Sequence, residues 1–247
     1  MGSVSSTRVE TFDMRAGAPL IAMDQDAEPA SSSPPLAHFD ACPTWLELAV
    51  RHLSDAQVGR DARIEAWRGA DERSKTGALE WEFEASMQAI TASAIAVDAF
   101  YAVVQTRVHL PQSLIDEWRD KRAPRYVRIA DVFGKAFSLE PKTVSRLAQA
   151  LEEIFRFRDL AIDSSSKIDA HILHPELGVG VEWRFAYFRY ENALLIVKAT
   201  VRLVTELAVS THPNDPDLQK YIDALRSRVE PLQNANALRA QAQKCDL

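Results

Sequence analysis

Between residues 156 and 163 the chain carries Arg156, Arg158, Asp159 and Asp163 within about two helical turns, a density of charge able to grip an anion or move a proton. Arg158 is the odd member. With a helix advancing about 100° per residue, Val144, Leu147, Leu151, Ile154 and Phe155 fall in an arc of about 100°, and Arg158 lands inside it. A guanidinium left alone among aliphatic neighbours is costly, so it must meet a carboxylate or open onto a cleft. An arginine in a last turn also suits the negative end of a helix and can reach solvent along its own stem. Asp98, at the edge of another apolar stripe, is the expected structural partner. Residues 119 to 135 hold six Lys/Arg against two Asp. There Arg122, Arg125 and Arg128, together with Arg156, are the residues expected to touch phosphate if a nucleic acid binds; otherwise they form a solvated face.

Other chemistry-bearing groups are sparser. His171, His174, Glu176 and Glu182 form the densest set of metal-ligand residue types, but they lack the helical HExxH spacing, and no metal or other cofactor is expected. Gly178 and Gly180 suit a tight turn better than a phosphate loop. The aromatic run Trp183, Phe185, Tyr187, Phe188 and Tyr190 has the spacing of core residues rather than of a base-stacking platform. Nucleophile-elbow, Walker and dinucleotide fingerprints are missing from the sequence.

Helices must position these groups. The spacing predicts a first helix beginning after Pro43, with Thr44 near its N-cap, and ending around Gly59. A charged stretch from 61 to 77 follows, a short helix or an irregular connection, then a long helix from 79 to 108 whose Ile90, Ala94, Val97, Tyr101, Val104 and Val108 share one stripe. Shorter helices over 112–121 and 126–137 precede an amphipathic helix over 141–162, opened by a first-turn proline. The stretch 163–182 reads as a loop with a small hairpin, 183–210 as one long helix apolar around most of its circumference, and 217–229 as a last amphipathic helix. Joined by short connections, such helices cover their stripes against one another: the expected fold is all-α, an antiparallel four-helix bundle core with extra N- and C-terminal helices. The divisions are a disordered acidic Ser/Pro tail (1–40), an N-terminal helical extension (41–78), the bundle (79–211), and a C-terminal helix and tail (212–247).

Composition agrees with a helical reading. Of 247 residues, 47% are hydrophobic and 26% charged, which excludes wholesale disorder; only 8 are glycine, too few for a turn-rich sandwich or barrel. The net charge is −6, and residues 1–40 hold six acids against two arginines, so nucleic-acid binding would fall to a local patch. Cys42 and Cys245, at opposite ends, make no disulfide framework and suit a reducing, cytoplasmic setting. A secretory signal is not expected. The late apolar run 193–209 is interrupted by Lys198, Arg202 and Glu206, so no membrane partner is expected either.

The order of a long helix carrying Ser93-Ala94-Ile95-Ala96-Val97-Asp98-Ala99-Phe100-Tyr101, a shorter basic helix, a helix ending Arg158-Asp159-Leu160-Ala161-Ile162-Asp163, and a long closing helix resembles the HEPN superfamily of four-helix bundles over residues 80 to 210. In that family an arginine followed by a polar residue, with a histidine four to six residues beyond, ends the third helix, and dimerisation joins two copies into a metal-independent RNA-cleaving site. The resemblance assigns the arginine role to Arg158 and the polar role to Asp159. The histidine is missing: Asp163, Ser164 or Ser165 stands at its spacing. An ordinary carboxylate accepts a proton but has none to give at neutral pH, so the motif is degenerate unless His171 folds back to rescue it. What the resemblance implies is a dimerising binding or regulatory module with an inactive ribonuclease site, acting on RNA or a nucleotide, or on a protein partner in a toxin–antitoxin or defence system. The alternatives are an active metal-independent endoribonuclease and a helical scaffold protein.

Overall fold

Asp40 opens the first helix. Its Oδ1 accepts the Cys42 N–H at 3.1 Å, and Thr44 Oγ1 donates back to the Asp40 carbonyl at 2.9 Å. The cap is therefore Asp40 rather than Thr44, because Pro43 sits in the first turn, where its missing N–H has no intrahelical partner to lose. The computed structural model describes residues 40–162, 171–210, 213 and 215–245. The acidic segment 1–39 and Asp163 lie outside the described residues.

Helix α1 (Ala41–Ala66) passes straight through Gly59. The glycine serves a close crossing rather than a helix end: a Cβ there would stand 2.8 Å from both the Cα and N of Glu82. Nor is 61–77 a short helix of its own or an irregular connection throughout: most of it is helical, divided between two long helices. Its charges decorate the end of α1 and the start of α2 (Glu72–Gln105), which begins a full two turns before the expected residue 79. Asp71 sets that start by accepting the Arg73 and Ser74 N–H groups, both at 3.2 Å. A paired test follows. Gly77→Ala, in an α2 turn with nothing within 4 Å, should stabilise the protein by about 0.5–1 kcal/mol. Gly59→Ala gains the same propensity yet meets backbone, and overpacking of about 1–3 kcal/mol makes it destabilising. Urea denaturation of both variants gives the two signs; equal shifts would contradict the crossing.

After α2 come α3 (Gln112–Asp120), α4 (Arg125–Ala136) and α5 (Pro141–Ile162). A hairpin of β1 (His171–Leu173) and β2 (Gly180–Glu182) pairs antiparallel with His171 opposite Glu182. Then follow α6 (Trp183–Tyr187), α7 (Tyr190–Ser210) and α8 (Pro216–Cys245). The expected single helix over 183–210 is thus broken. Phe188 leaves helical geometry and buries its ring among Phe83, Phe157 and Trp183, with centroids at 5.9, 6.3 and 6.4 Å. Glu82 then caps α7 from a distance, its Oε1 accepting the Tyr190 N–H at 3.0 Å. The last helix also exceeds its expected span of 217–229, its backbone continuing past Pro231.

The described chain is all-α apart from that two-stranded hairpin, and its described residues from Asp40 onward belong to one compact unit. Helix α2 lies at the centre, contacting α1, α4, α5, α6 and α7. By length and composition it is the one described helix able to cross a bilayer; half of that window is buried inside the protein. Phe100 anchors its C-terminal half against Phe133 of α4, Phe137 just past that helix and Tyr221 of α8, at 5.0, 6.1 and 6.3 Å between centroids. Cys42 is enclosed at the start of α1, where burial and then the neighbouring Asp40 push its thiol pKa well up.

Candidate functional site

The last turns of α5 carry Arg158 against the C-terminal half of α2. Its Nη1 donates to Asp98 Oδ2 at 3.3 Å, while Nε and Nη2 donate to Asp159 Oδ1 at 3.0 and 2.7 Å. The guanidinium also stacks 4.7 Å from the centre of the Phe155 ring, one turn back on its own helix. With 21% of its side chain exposed, Arg158 is neither sealed in the core nor free in water. Asp98 has a second guest: Arg125, from the first turn of α4, grips Oδ1 through Nε and Nη2 at 3.0 and 2.8 Å. The arrangement is a ladder of two arginines and two aspartates, Arg125, Asp98, Arg158 and Asp159, electrically neutral as a set.

That neutrality decides what the ladder can do. A scissile phosphate needs uncompensated donors, and the donors of Arg158 already face carboxylates. Beside it a groove of about 370 Å³ is lined by Tyr126, Glu152, Phe155, Arg156, Asp159 and Leu160. Tyr126 donates its hydroxyl to Glu152 at 3.0 Å, a bond that pushes the phenol pKa up and leaves a carboxylate at the lip. Arg156 is engaged too, donating to Glu153 at 3.1 and 2.6 Å. Of the four arginines expected to meet phosphate, Arg125 and Arg156 are therefore paired. Arg122, which adopts a left-handed φ of 47° just after α3, and Arg128 have no ion-pair partner among the described residues.

His171 lies elsewhere in its bonding. It is exposed on the outer face of the hairpin opposite Glu182, and among the described residues no hydrogen bond joins it to Arg158. Strand alternation explains why the four metal-like residues do not converge: His171 and Glu182 point outward, whereas His174, just past β1, is wholly buried. Among the described residues no group of three or more His, Cys, Asp or Glu is placed to hold a metal ion.

A second polar cluster, larger and drier, joins α1, α2, the hairpin turn and α7. The buried Arg63 donates through Nε to Glu82 and through Nη2 to Glu176 Oε2 at 2.8 Å. Arg60 Nε donates to Glu191 Oε1 at 2.6 Å, and Arg189 Nη1 to Glu176 Oε1 at 3.3 Å. Three arginines thus balance three glutamates. Burial works against the Glu176 carboxylate, yet the hydrogen bonds from its neighbours, Arg63 first, hold its pKa below the usual range. In Glu191 burial wins, helped by the nearby Glu176 charge, and its pKa is raised. Burial, and then the Arg63 guanidinium, bring His174 down to about 4, so its ring is neutral and accepts the Glu176 N–H at Nδ1, 3.2 Å away. This cluster fastens the hairpin turn to the helices. Its sequence signal is of the kind that picks out Arg158: Glu82 falls in a stripe with Ala78, Ala85 and Ala89, and Arg63 in one with Ala56 and Gly59.

Fold and sites together define an all-helical protein with two internally neutral arginine–carboxylate clusters. Comparison with family models, curated proteins and solved structures finds no match for the chain.

Proposed function

We propose that this protein is a HEPN-like module that binds and regulates without cleaving, its family bundle made of α2, α4, α5 and α7 with α1 and α8 added. The observation that carries the reading is the double engagement of Arg158 by Asp98 and Asp159, with no imidazole bonded to it among the described residues. An arginine so held keeps the position that the family resemblance gives it, yet lacks both a free phosphate-binding face and a proton donor. The module is taken to act as a homodimer in the cytoplasm, on RNA or a nucleotide or on a protein partner of a toxin–antitoxin or defence pair.

Incubation of the protein with RNA in the presence of a chelator is expected to leave the RNA intact, for the wild type and for Arg158→Ala alike. Cleavage abolished by Arg158→Ala would overturn the reading in favour of an active ribonuclease. Binding is read separately, by fluorescence anisotropy of labelled RNA against salt. Because Arg122 and Arg128 are unpaired, changing either to alanine should weaken binding and lower the salt slope by about one. Arg125→Ala, whose charge is already answered by Asp98, should do less. Equal effects at all three positions would remove the distinction. A helical scaffold is the second reading, favoured by the bare Ile162, Leu173 and Leu195, each about two-thirds exposed.

A further inference from the structure

Helices α5 and α7 leave between them a groove of about 500 Å³, within the size range of small-ligand pockets. Leu139, Leu147 and Ala150 line one wall, and Ala199, Leu203 and Leu207 the other. The three residues of α7 recur every fourth position, so that wall runs about 12 Å along the helix. Charge is confined to the rim. Arg146 rises from α5 and Arg202 from α7, against one carboxylate, Glu206. Arg202 Nε donates to Glu206 Oε1 at 2.6 Å, which leaves its other nitrogens open. Arg146 has no ion-pair partner among the described residues. The groove therefore combines an apolar trough with one uncompensated positive charge. The groove beside Arg158 has the opposite balance, with Glu152 and Asp159 against Arg156.

We propose that the α5–α7 groove binds a monoanionic amphipath, a carboxylate on an unbranched alkyl chain, with the head between Arg146 and Arg202 and the chain along Leu147, Leu203 and Leu207. A carboxylate matches the guanidinium forks on the two walls, and a linear chain matches a straight trough that one helix face defines. The site is independent of Arg158 and of any nucleic-acid role.

Equilibrium dialysis of octanoate, decanoate and dodecanoate against the full chain, below the concentrations at which they self-associate, tests it. Kd should fall about two- to fourfold for each added methylene until the trough is full. Arg146→Gln should weaken decanoate about tenfold while leaving decanol unchanged, since only the carboxylate meets that charge. Ala199→Phe, which fills the trough from a half-buried helical position, should abolish binding of both. Circular dichroism melting curves like the wild type show that either variant remains folded. Absence of binding at every chain length, decanol binding as tightly as decanoate, or unchanged decanoate binding by a folded Ala199→Phe protein would each overturn the proposal.

Discussion

Replacing Glu82 by alanine is expected to destabilise the protein by about 3–5 kcal/mol, the usual consequence of removing one member of a buried ion pair. Glu82 answers two groups that have no route to water: the Arg63 guanidinium and the first N–H of α7 at Tyr190. Alanine takes the acceptor from Arg63 Nε, leaving the guanidinium only Glu176, and removes the carboxylate that caps the start of α7. Glu82→Gln keeps the shape and an acceptor, and should cost less, about 1–3 kcal/mol. Pairing Glu82→Leu with Arg63→Met should recover part of the loss, because apolar residues that replace both charges escape the desolvation penalty. Urea unfolding with the slope checked for constancy measures all of these; a loss under about 1 kcal/mol for Glu82→Ala would mean that water reaches Arg63.

Acid should weaken the fold through His174. The unfolded chain takes up this proton near pH 6.5 and the folded protein near pH 4, so between those values the unfolded state binds more protons and stability rises with pH. Going from pH 7 to pH 4, the wild type loses about 3 kcal/mol from this residue alone. Burial sets most of the effect; of the neighbouring charges, Arg63 and Arg189 add to it by disfavouring another cation beside them, and Glu176 partly offsets them. Glu176 adds its own loss at lower pH, its carboxylate being held below the usual range, whereas Glu191, raised in the folded state, opposes it. The difference between wild type and His174→Gln across the titration isolates the histidine. Parallel curves would show that His174 is solvated after all.

Helix α5 was legible to the residue, because Pro141 marks its start and its apolar residues hold the helical period from Val144 to Phe155. The α1 boundary was not. Glycine is an ordinary helix-stop signal, and only the approach of α2 reveals that Gly59 is there for clearance. The break between α6 and α7 carries no glycine or proline either: Phe188 is drawn into the core and the restart is capped by Glu82, a residue 108 positions away from Tyr190. Of the Arg158 ladder, the charge within an apolar stripe was visible, and so was Asp98 at a neighbouring edge. Arg125 as a competitor for Asp98 was not, because it comes from a third helix whose rotation depends on packing. The Arg63 cluster escaped for the same reason. It joins residues from four elements, and local periodicity reports burial without naming the partner across the gap.

Cys42, enclosed at the root of α1 with its sulfur held protonated, offers an internal clock. Thiolate is the form that displaces iodide from iodoacetamide, so an adduct on this sulfur can form only when the first turns of the helix come away from α8 and the core. Site-resolved mass spectrometry of that adduct over time would thus count openings of one end of the molecule, with no substitution made in the chain.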